Sequence, residues 1–275
     1  MPIKLPRIQF GLPGGLDLAL TGLLIACVAG LLAILSTVEG ERPAGRQVYG
    51  GADLDPAGEQ LLIASFNIRR AKGTDGRTDL ARIGDMLRLC DVVWLSELSY
   101  LDAQGPALAR QLGMTFIPAP TETVNGRPSF GNGLLTRVAA RDVRVEPLPK
   151  SGGRGERNLL IATLPLAAGG HLTIIGTHVA FPKDAPEQLD LVLEAFETAD
   201  PPVLLMGDLN ATADQPRLAE TLARDDVKVA TLDGDNRIDW LLLRGNVDIT
   251  DGGVVETVAS DHPAIWTRLK LSRPD

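Results

Sequence analysis

From Leu61 onward, short apolar runs alternate with polar loops and a few amphipathic stretches. Leu61–Phe66 reads as a buried strand and Asp91–Leu95 as another. Between them, Asp79–Leu89 carries Leu80, Ile83 and Leu87 on one helical face, with Thr78 or Asp79 placed to cap it. Further strands are predicted at Gly133–Thr136, Asn158–Leu164, Leu172–Thr177, Val203–Met206, Ile238–Leu243 and Ala264–Leu269. Pro186–Ala199 predicts a helix whose core face is Leu189, Val192, Leu193 and Phe196. Adjacent strands mixed with intervening helices suit a layered α/β domain. Neither a Gly-rich dinucleotide fingerprint nor a phosphate-binding P-loop occurs in the chain.

Upstream the pattern changes. Leu18–Val38 (LALTGLLIACVAGLLAILSTV) carries no charge and is long enough to cross a hydrocarbon core of about 30 Å as a helix. A cleaved signal peptide would have an apolar core of about 7–15 residues before a small-residue site. A lipoprotein would turn polar after its lipidated cysteine, whereas Val28–Leu35 after Cys27 stays apolar. The expectation is an uncleaved transmembrane helix at 18–38, preceded by a tail at 1–17. Residues 39–60, rich in Gly, Pro and charge, then read as a flexible linker spanning roughly 25 Å. The domain proper is expected at 61–275. Lys4 and Arg7 before the span nearly balance Arg42 and Arg46 after it. A short tail usually stays inside, so a single-pass protein with an extracytoplasmic domain is expected.

Composition narrows the function classes. A chain of 275 residues with 44% hydrophobic positions can bury a sizeable core. Its net charge of -8 excludes a basic protein that coats nucleic acid. An enzyme acting on anions is not excluded, because bound metal ions supply local positive charge. Cys27 lies in the apolar run and Cys90 follows a predicted helix, which argues against a disulfide between them.

The informative residues stand at strand ends. Asn67 closes the first strand, and Glu97 comes two residues after DVVWL. His178 closes LTIIGTH, Asp208 and Asn210 follow VLLMG, Asp239 sits in RIDWLLL, and Asp261-His262 precede PAIW. Strand ends are where a rigid sheet presents reactive groups to solvent. Each residue alone has a plainer explanation: Asn67 as a turn, Glu97 as a solvated acid, Asp208 and Asn210 as an Asx-turn. All of those would have to hold independently. Two of the three histidines fall in these positions, and His171, in a Gly-Gly-His loop, reads as ordinary surface.

Hydrolysis of a phosphate ester explains why such groups would gather. It needs an activated water, charge neutralisation on the non-bridging oxygens and help for the leaving oxygen. Asn67 and Glu97 with Asp261 make an oxygen-donor set for a hard ion such as Mg²⁺, with Mn²⁺ or Ca²⁺ as alternatives. Asp239 with His262 suits a carboxylate-oriented imidazole.

SFNIR, VVWLSEL, FGNGLLTR, GTHV, LLMGDLNA, RIDWLLL and SDHPAIW occur in the order found in the endonuclease/exonuclease/phosphatase superfamily, which residues 61–269 resemble. The resemblance implies a four-layer α/β/β/α sandwich of two packed sheets. It implies metal binding by Asn67 and Glu97 with Asp261 nearby, and positioning of nucleophile and phosphate by Asp208 and Asn210. It also implies polarisation of His262 by Asp239, a phosphate contact from His178, and phosphate-side roles for Asn132 and Arg157. Many members carry Gln before the metal-binding Glu, where this chain has Ser96. The expected activity is a phosphodiesterase of nuclease type acting on a phosphate ester such as nucleic acid. The alternatives are a lipid or inositol-phosphate phosphatase and an inactive membrane-bound interaction domain. Oligomeric state is not written in the sequence.

Overall fold

The computed structural model describes residues 54–150, 155–183, 185–231 and 237–271. The expected tail, the 18–38 span and the linker as far as residue 53 lie outside the described residues. Among those described, no helix is long and apolar enough to cross a membrane.

The first half of the domain runs β1 (Gln60–Asn67), a 3-10 turn (Arg69–Ala71), α1 (Leu80–Leu87), β2 (Val92–Ser99), α2 (Gln104–Leu112), β3 (Thr115–Val124) and β4 (Arg127–Thr136). β5 (Arg141–Pro147), β6 (Asn158–Pro165), β7 (His171–His178), α3 (Pro186–Thr198), β8 (Val203–Asp208) and α4 (Pro216–Leu222) follow. The chain ends through β9 (Val227–Val229), β10 (Asp239–Arg244), β11 (Asp248–Val255) and β12 (Ala264–Lys270). Two six-stranded sheets result, ordered β11-β12-β1-β2-β4-β3 and β5-β6-β7-β8-β10-β9.

Each sheet contains one parallel pair, β1–β2 and β7–β8, among antiparallel neighbours. A parallel pair requires a crossover, and α1 and α3 supply them. Parallel pairing also brings two carboxyl ends together. Asn67 lies opposite Ser96 in the first sheet and His178 opposite Asp208 in the second.

Period-two alternation decides which face each strand buries. On β1, Leu61 and Ile63 enter the core between the sheets, while Ala64 and Phe66 face the outer cluster under α1 and α2. Ile83 and Leu87 of α1 fill that cluster, and the Asp79 carboxylate caps the helix by accepting from Arg82 N at 3.1 Å. On the far side, Leu189, Val192, Leu193 and Phe196 of α3 close a second outer cluster with Leu218 of α4. The layers are therefore α/β/β/α. Trp94 is fully buried in the inter-sheet core and donates Nε1–H to Thr177 O at 2.9 Å, which ties the sheets together. Full burial of one such large side chain contributes about 1.5–3 kcal/mol.

The domain boundary differs from the sequence expectation at its start. Ala57 is buried, donates N–H to Pro165 O at 2.8 Å and accepts from Ala167 N at 2.8 Å. Glu59 O accepts from Leu271 N. Residues 57–60 thus belong to the fold rather than to the linker, because their backbone groups find partners that the Gly-, Pro- and charge-rich composition of 39–60 does not announce.

Candidate active site

The carboxyl ends of both parallel pairs open on the same point. Asn67 is buried at the end of β1, and its Nδ2 donates to Glu97 Oε1 and to Asp208 Oδ2, 3.2 Å in each case. Asp208 Oδ2 also lies 3.4 Å from His178 Nε2 and 3.8 Å from His262 Nε2. Side chains of both sheets, and of the loop between β11 and β12, converge on this one carboxylate oxygen.

The second sheet builds its share by register. His178, Asp208 and Asp239 are direct neighbours across the β7–β8 and β8–β10 ladders. Gly207 stands at φ 142°, and a Cβ there would run into the Thr177 carbonyl, so only glycine lets β8 approach β7 this closely. Asn210 has φ 48°; its N–H donates to Asp208 Oδ1 at 2.9 Å and its Nδ2 to Val179 O at 2.9 Å. Its Nδ2 also lies 3.4 Å from His178 Nε2.

The first sheet builds its share by departures from regularity. Leu95 and Leu98 both face the outer core, so the residues between them include one more than alternation allows. The register shift falls there, with Glu97 at φ 61°. This bulge turns Glu97 toward Asn67 instead of under the helices. Asn132 supports it, with Oδ1 accepting from Glu97 N at 3.4 Å and Nδ2 donating to Asn158 Oδ1 at 3.5 Å. Ser96, where the family often has Gln, is buried beneath the site and accepts from Trp94 Nε1 at 3.2 Å. Immediately after Asn67, three consecutive non-glycine residues, Arg69, Arg70 and Ala71, lie at φ 47°, 54° and 60°. Each such residue costs on the order of 1 kcal/mol or more, and such strain gathers at functional sites.

Electrostatics separate the two histidines. Burial pushes His178 down to about 4 against the pull of Asp208, with the charges of Arg157 and His262 adding to the fall. His178 is therefore neutral near pH 7. Burial also opposes the charge on His262, yet the Asp239 bond and the carboxylates of Asp239, Asp208 and Asp261 outweigh it and raise His262 to about 9. His262 Nδ1 meets Asp239 Oδ2 at 2.7 Å. Desolvation raises Asp208, with the neighbouring Asp239 charge adding to it.

Two observations make these residues fit a hard divalent ion. Glu97 Oε1 and Asp208 Oδ2 converge on one amide N–H₂, an arrangement of anions that seeks a cation. Asp208, Asp239 and His262 also offer ligand atoms all within 4.8 Å of one another, and the buried Asp239 Oδ1 has no hydrogen-bond partner. Asp261 sits at the edge of this group. Its Oδ2 pairs with Arg69 Nε at 3.3 Å, and about half of its side chain is exposed. Ser260 links it inward, with Oγ donating to Asn67 O at 2.7 Å and lying 3.3 Å from Asp261 Oδ1.

The structure thus brings Asn67, Glu97, His178, Asp208, Asn210, Asp239 and His262 together. Asn132 lies beneath Glu97, Asp261 lies at the rim, and Arg157 is near enough to act on His178. Sequence reasoning missed Asn158, Ser260 and Tyr100. Tyr100 Oη donates to Asn132 O at 2.5 Å and accepts from Ala119 N at 2.9 Å. For Asn158 the signal was its position next to Arg157, and for Ser260 its position in SDHPAIW; Tyr100 carried none.

The sequence profile of the Endonuclease/Exonuclease/phosphatase family matches residues 64–262. The chain belongs to this family. Its members are hydrolases acting on phosphate esters. Among solved structures, the family protein from Beutenbergia cavernae is 26% identical, with 78% of this chain and 72% of that one covered and a TM-score of 0.63. The mannosyl-6-phosphatase of Bacteroides thetaiotaomicron is 16% identical over 76% of this chain and 99% of its own, at a TM-score of 0.62. A humanized TDP2 from D. rerio is 24% identical over 77% and 99%, at a TM-score of 0.56. The latter two share the fold. No curated protein matches the chain.

Proposed function

We propose that the chain is a divalent-metal-dependent phosphodiesterase of nuclease type, tethered to a membrane by Leu18–Val38 with its domain on the extracytoplasmic side. The observation that carries the catalytic reading is the meeting of Asn67, His178 and His262 at Asp208 Oδ2. A bound divalent ion would neutralise the non-bridging oxygens and polarise the attacking water. Asn67 and Glu97 are the residues that would hold it, with Asp261 at the rim. Asp208 and Asn210 orient the water. Asp239 fixes the His262 ring through Nδ1, which leaves Nε2 toward Asp208; the water's proton passes to the Asp208 carboxylate, which the charged His262–Asp239 pair flanks. Neutral His178 and the Arg157 charge face the phosphate. The tether rests on the uncharged run of 18–38.

A substrate panel tests this reading. The full chain should cleave single-stranded and plasmid DNA with Mg²⁺ at low salt, and turn over sphingomyelin, inositol phosphates and sugar 6-phosphates far more slowly. The similarity in fold to a mannosyl-6-phosphatase makes a phosphomonoester a necessary arm beside the nucleic acids. Turnover confined to a phospholipid, an inositol phosphate or a sugar phosphate would overturn the nuclease assignment.

A further inference from the structure

The strained turn after Asn67 places two arginines that the chemistry above does not use. Its backbone is held from every side: Asn67 Oδ1 accepts from Arg69 N at 3.1 Å, Ala71 N donates to Ile68 O, and Gln104 Nε2 donates to Arg70 O at 2.8 Å. Gln104 is buried, and its other end accepts from Ser99 N at 2.9 Å, so the turn is locked to the end of β2 just past Glu97. Buried Ala71 anchors the third left-handed residue. What this turn presents outward is Arg69, paired with Asp261, and Arg70.

Arg70 differs from Arg69. Its guanidinium carbon lies 4.6 Å from the centroid of the Phe130 ring, and the residue is exposed. Among the described residues it has no carboxylate partner. Phe130 is held in β4, opposite Ser99 and two residues from Asn132, the residue that supports Glu97. A guanidinium resting on an aromatic face keeps its N–H edges free, and that planar fork matches two oxygens of a phosphate. Stacking also pre-orders the side chain, so less freedom is lost on binding.

We propose that Arg70, seated on Phe130, is a subsite for a non-scissile phosphate of the substrate, adjacent to the one being cleaved. The proposal rests on the phosphodiesterase reading above and deepens it: the preferred substrate carries a second phosphodiester next to the scissile one. Arg70 is a specificity-determining residue that does not touch the reacting atoms.

The test uses the full chain with Mg²⁺ and three esters. One is a short single-stranded DNA, the second is the same DNA with neutral methylphosphonates at the linkages flanking the scissile one, and the third is bis(p-nitrophenyl) phosphate. Neutralising the flanking linkages should lower wild-type kcat/KM about tenfold, the size of one charge-assisted contact. Arg70→Ala should lose about the same factor on native DNA, mainly in KM, and be indifferent to the neutral linkages. Its activity on bis(p-nitrophenyl) phosphate should stay at the wild-type level, which also reports an intact site. Arg70→Lys, which keeps the charge without the fork, and Phe130→Leu, which removes the platform, should each lose part of the discrimination. Equal loss on all three esters, or an Arg70→Ala protein that still discriminates as the wild type does, would overturn the subsite alone. Absence of turnover on every phosphodiester would overturn the functional reading and the subsite with it.

Discussion

The two sheets reach the same site by opposite means. In the second sheet, ladder register alone sets His178 beside Asp208 and Asp208 beside Asp239. In the first, a bulge at Glu97 and a left-handed turn after Asn67 are needed to aim the side chains. The second-sheet carboxylates and His178 are buried, whereas Glu97 and Asp261 are partly or largely open. The difference suits the two roles proposed above. A regular ladder gives fixed proton-handling groups in a dry setting, where hydrogen bonds and charges act strongly. A strained, more open edge gives groups that exchange partners with ion, water and substrate.

The largest effect should come from removing what the converging carboxylates call for. Exhaustive EDTA treatment is expected to abolish phosphodiester turnover, and added Mg²⁺ or Mn²⁺ to restore it. Undiminished turnover after chelation would remove the first sheet's assigned role.

Next in size is the ladder itself. Gly207→Ala puts a methyl group where the Thr177 carbonyl stands, in a backbone conformation that alanine resists. It should lower Tm by several degrees and depress kcat by more than tenfold. A variant with wild-type Tm and kcat would show that register does not hold Asp208 in place. On the first sheet, Asn132→Ala should leave the fold largely intact while loosening Glu97. Its expected signature is a tenfold or greater rise in the Mg²⁺ concentration needed for half activity. An unchanged metal requirement would show that the bulge stands without it.

The same contrast explains what could be read from the sequence. Central strands announced themselves as apolar runs ending in polar residues, and β1, β6, β7, β8, β10 and β12 lie where expected. The elements that escaped notice are mostly at edges. β3 carries Pro118 and Pro120 and lies at the end of its sheet, where a missing N–H is tolerated. β5, β9 and β11 are edge strands with little buried alternation. α2 opens on Gly105-Pro106, which argues against a helix by propensity, yet its Leu108 and Leu112 pack against the outer core. The site residues were legible because their chemistry is unusual for strand ends. The Glu97 bulge and the Arg69–Ala71 turn were not, since nothing in SEL or RRA signals positive φ. Asp261 was expected beside the metal ligands, but its pairing with Arg69 is a tertiary fact that no local pattern carries.

The smallest expected effect concerns the loop between that turn and α1. The bond from Arg82 holds Asp75 down at about 2, below its ordinary 3.8, with Arg77 N contributing. A carboxylate lowered on folding stabilises above its unfolded value and loses that contribution as pH falls through the folded one. Asp75→Asn should therefore melt slightly below wild type near pH 6, with the gap closing between about pH 4 and pH 2. A gap that persists unchanged to pH 2 would remove the ion pair as its cause.

His262 comes from a loop of the first sheet and Asp239 from a strand of the second, and their 2.7 Å contact is where the two constructions must work as one. The direct test is a double-mutant cycle on folded protein, reading kcat/KM for single-stranded DNA with Mg²⁺. His262→Ala and Asp239→Asn should each lose about 10²–10⁴-fold, and the double variant should be little worse than the poorer single one. Losses that multiply would mean that the two residues act independently, and would contradict a single site shared across the sheets.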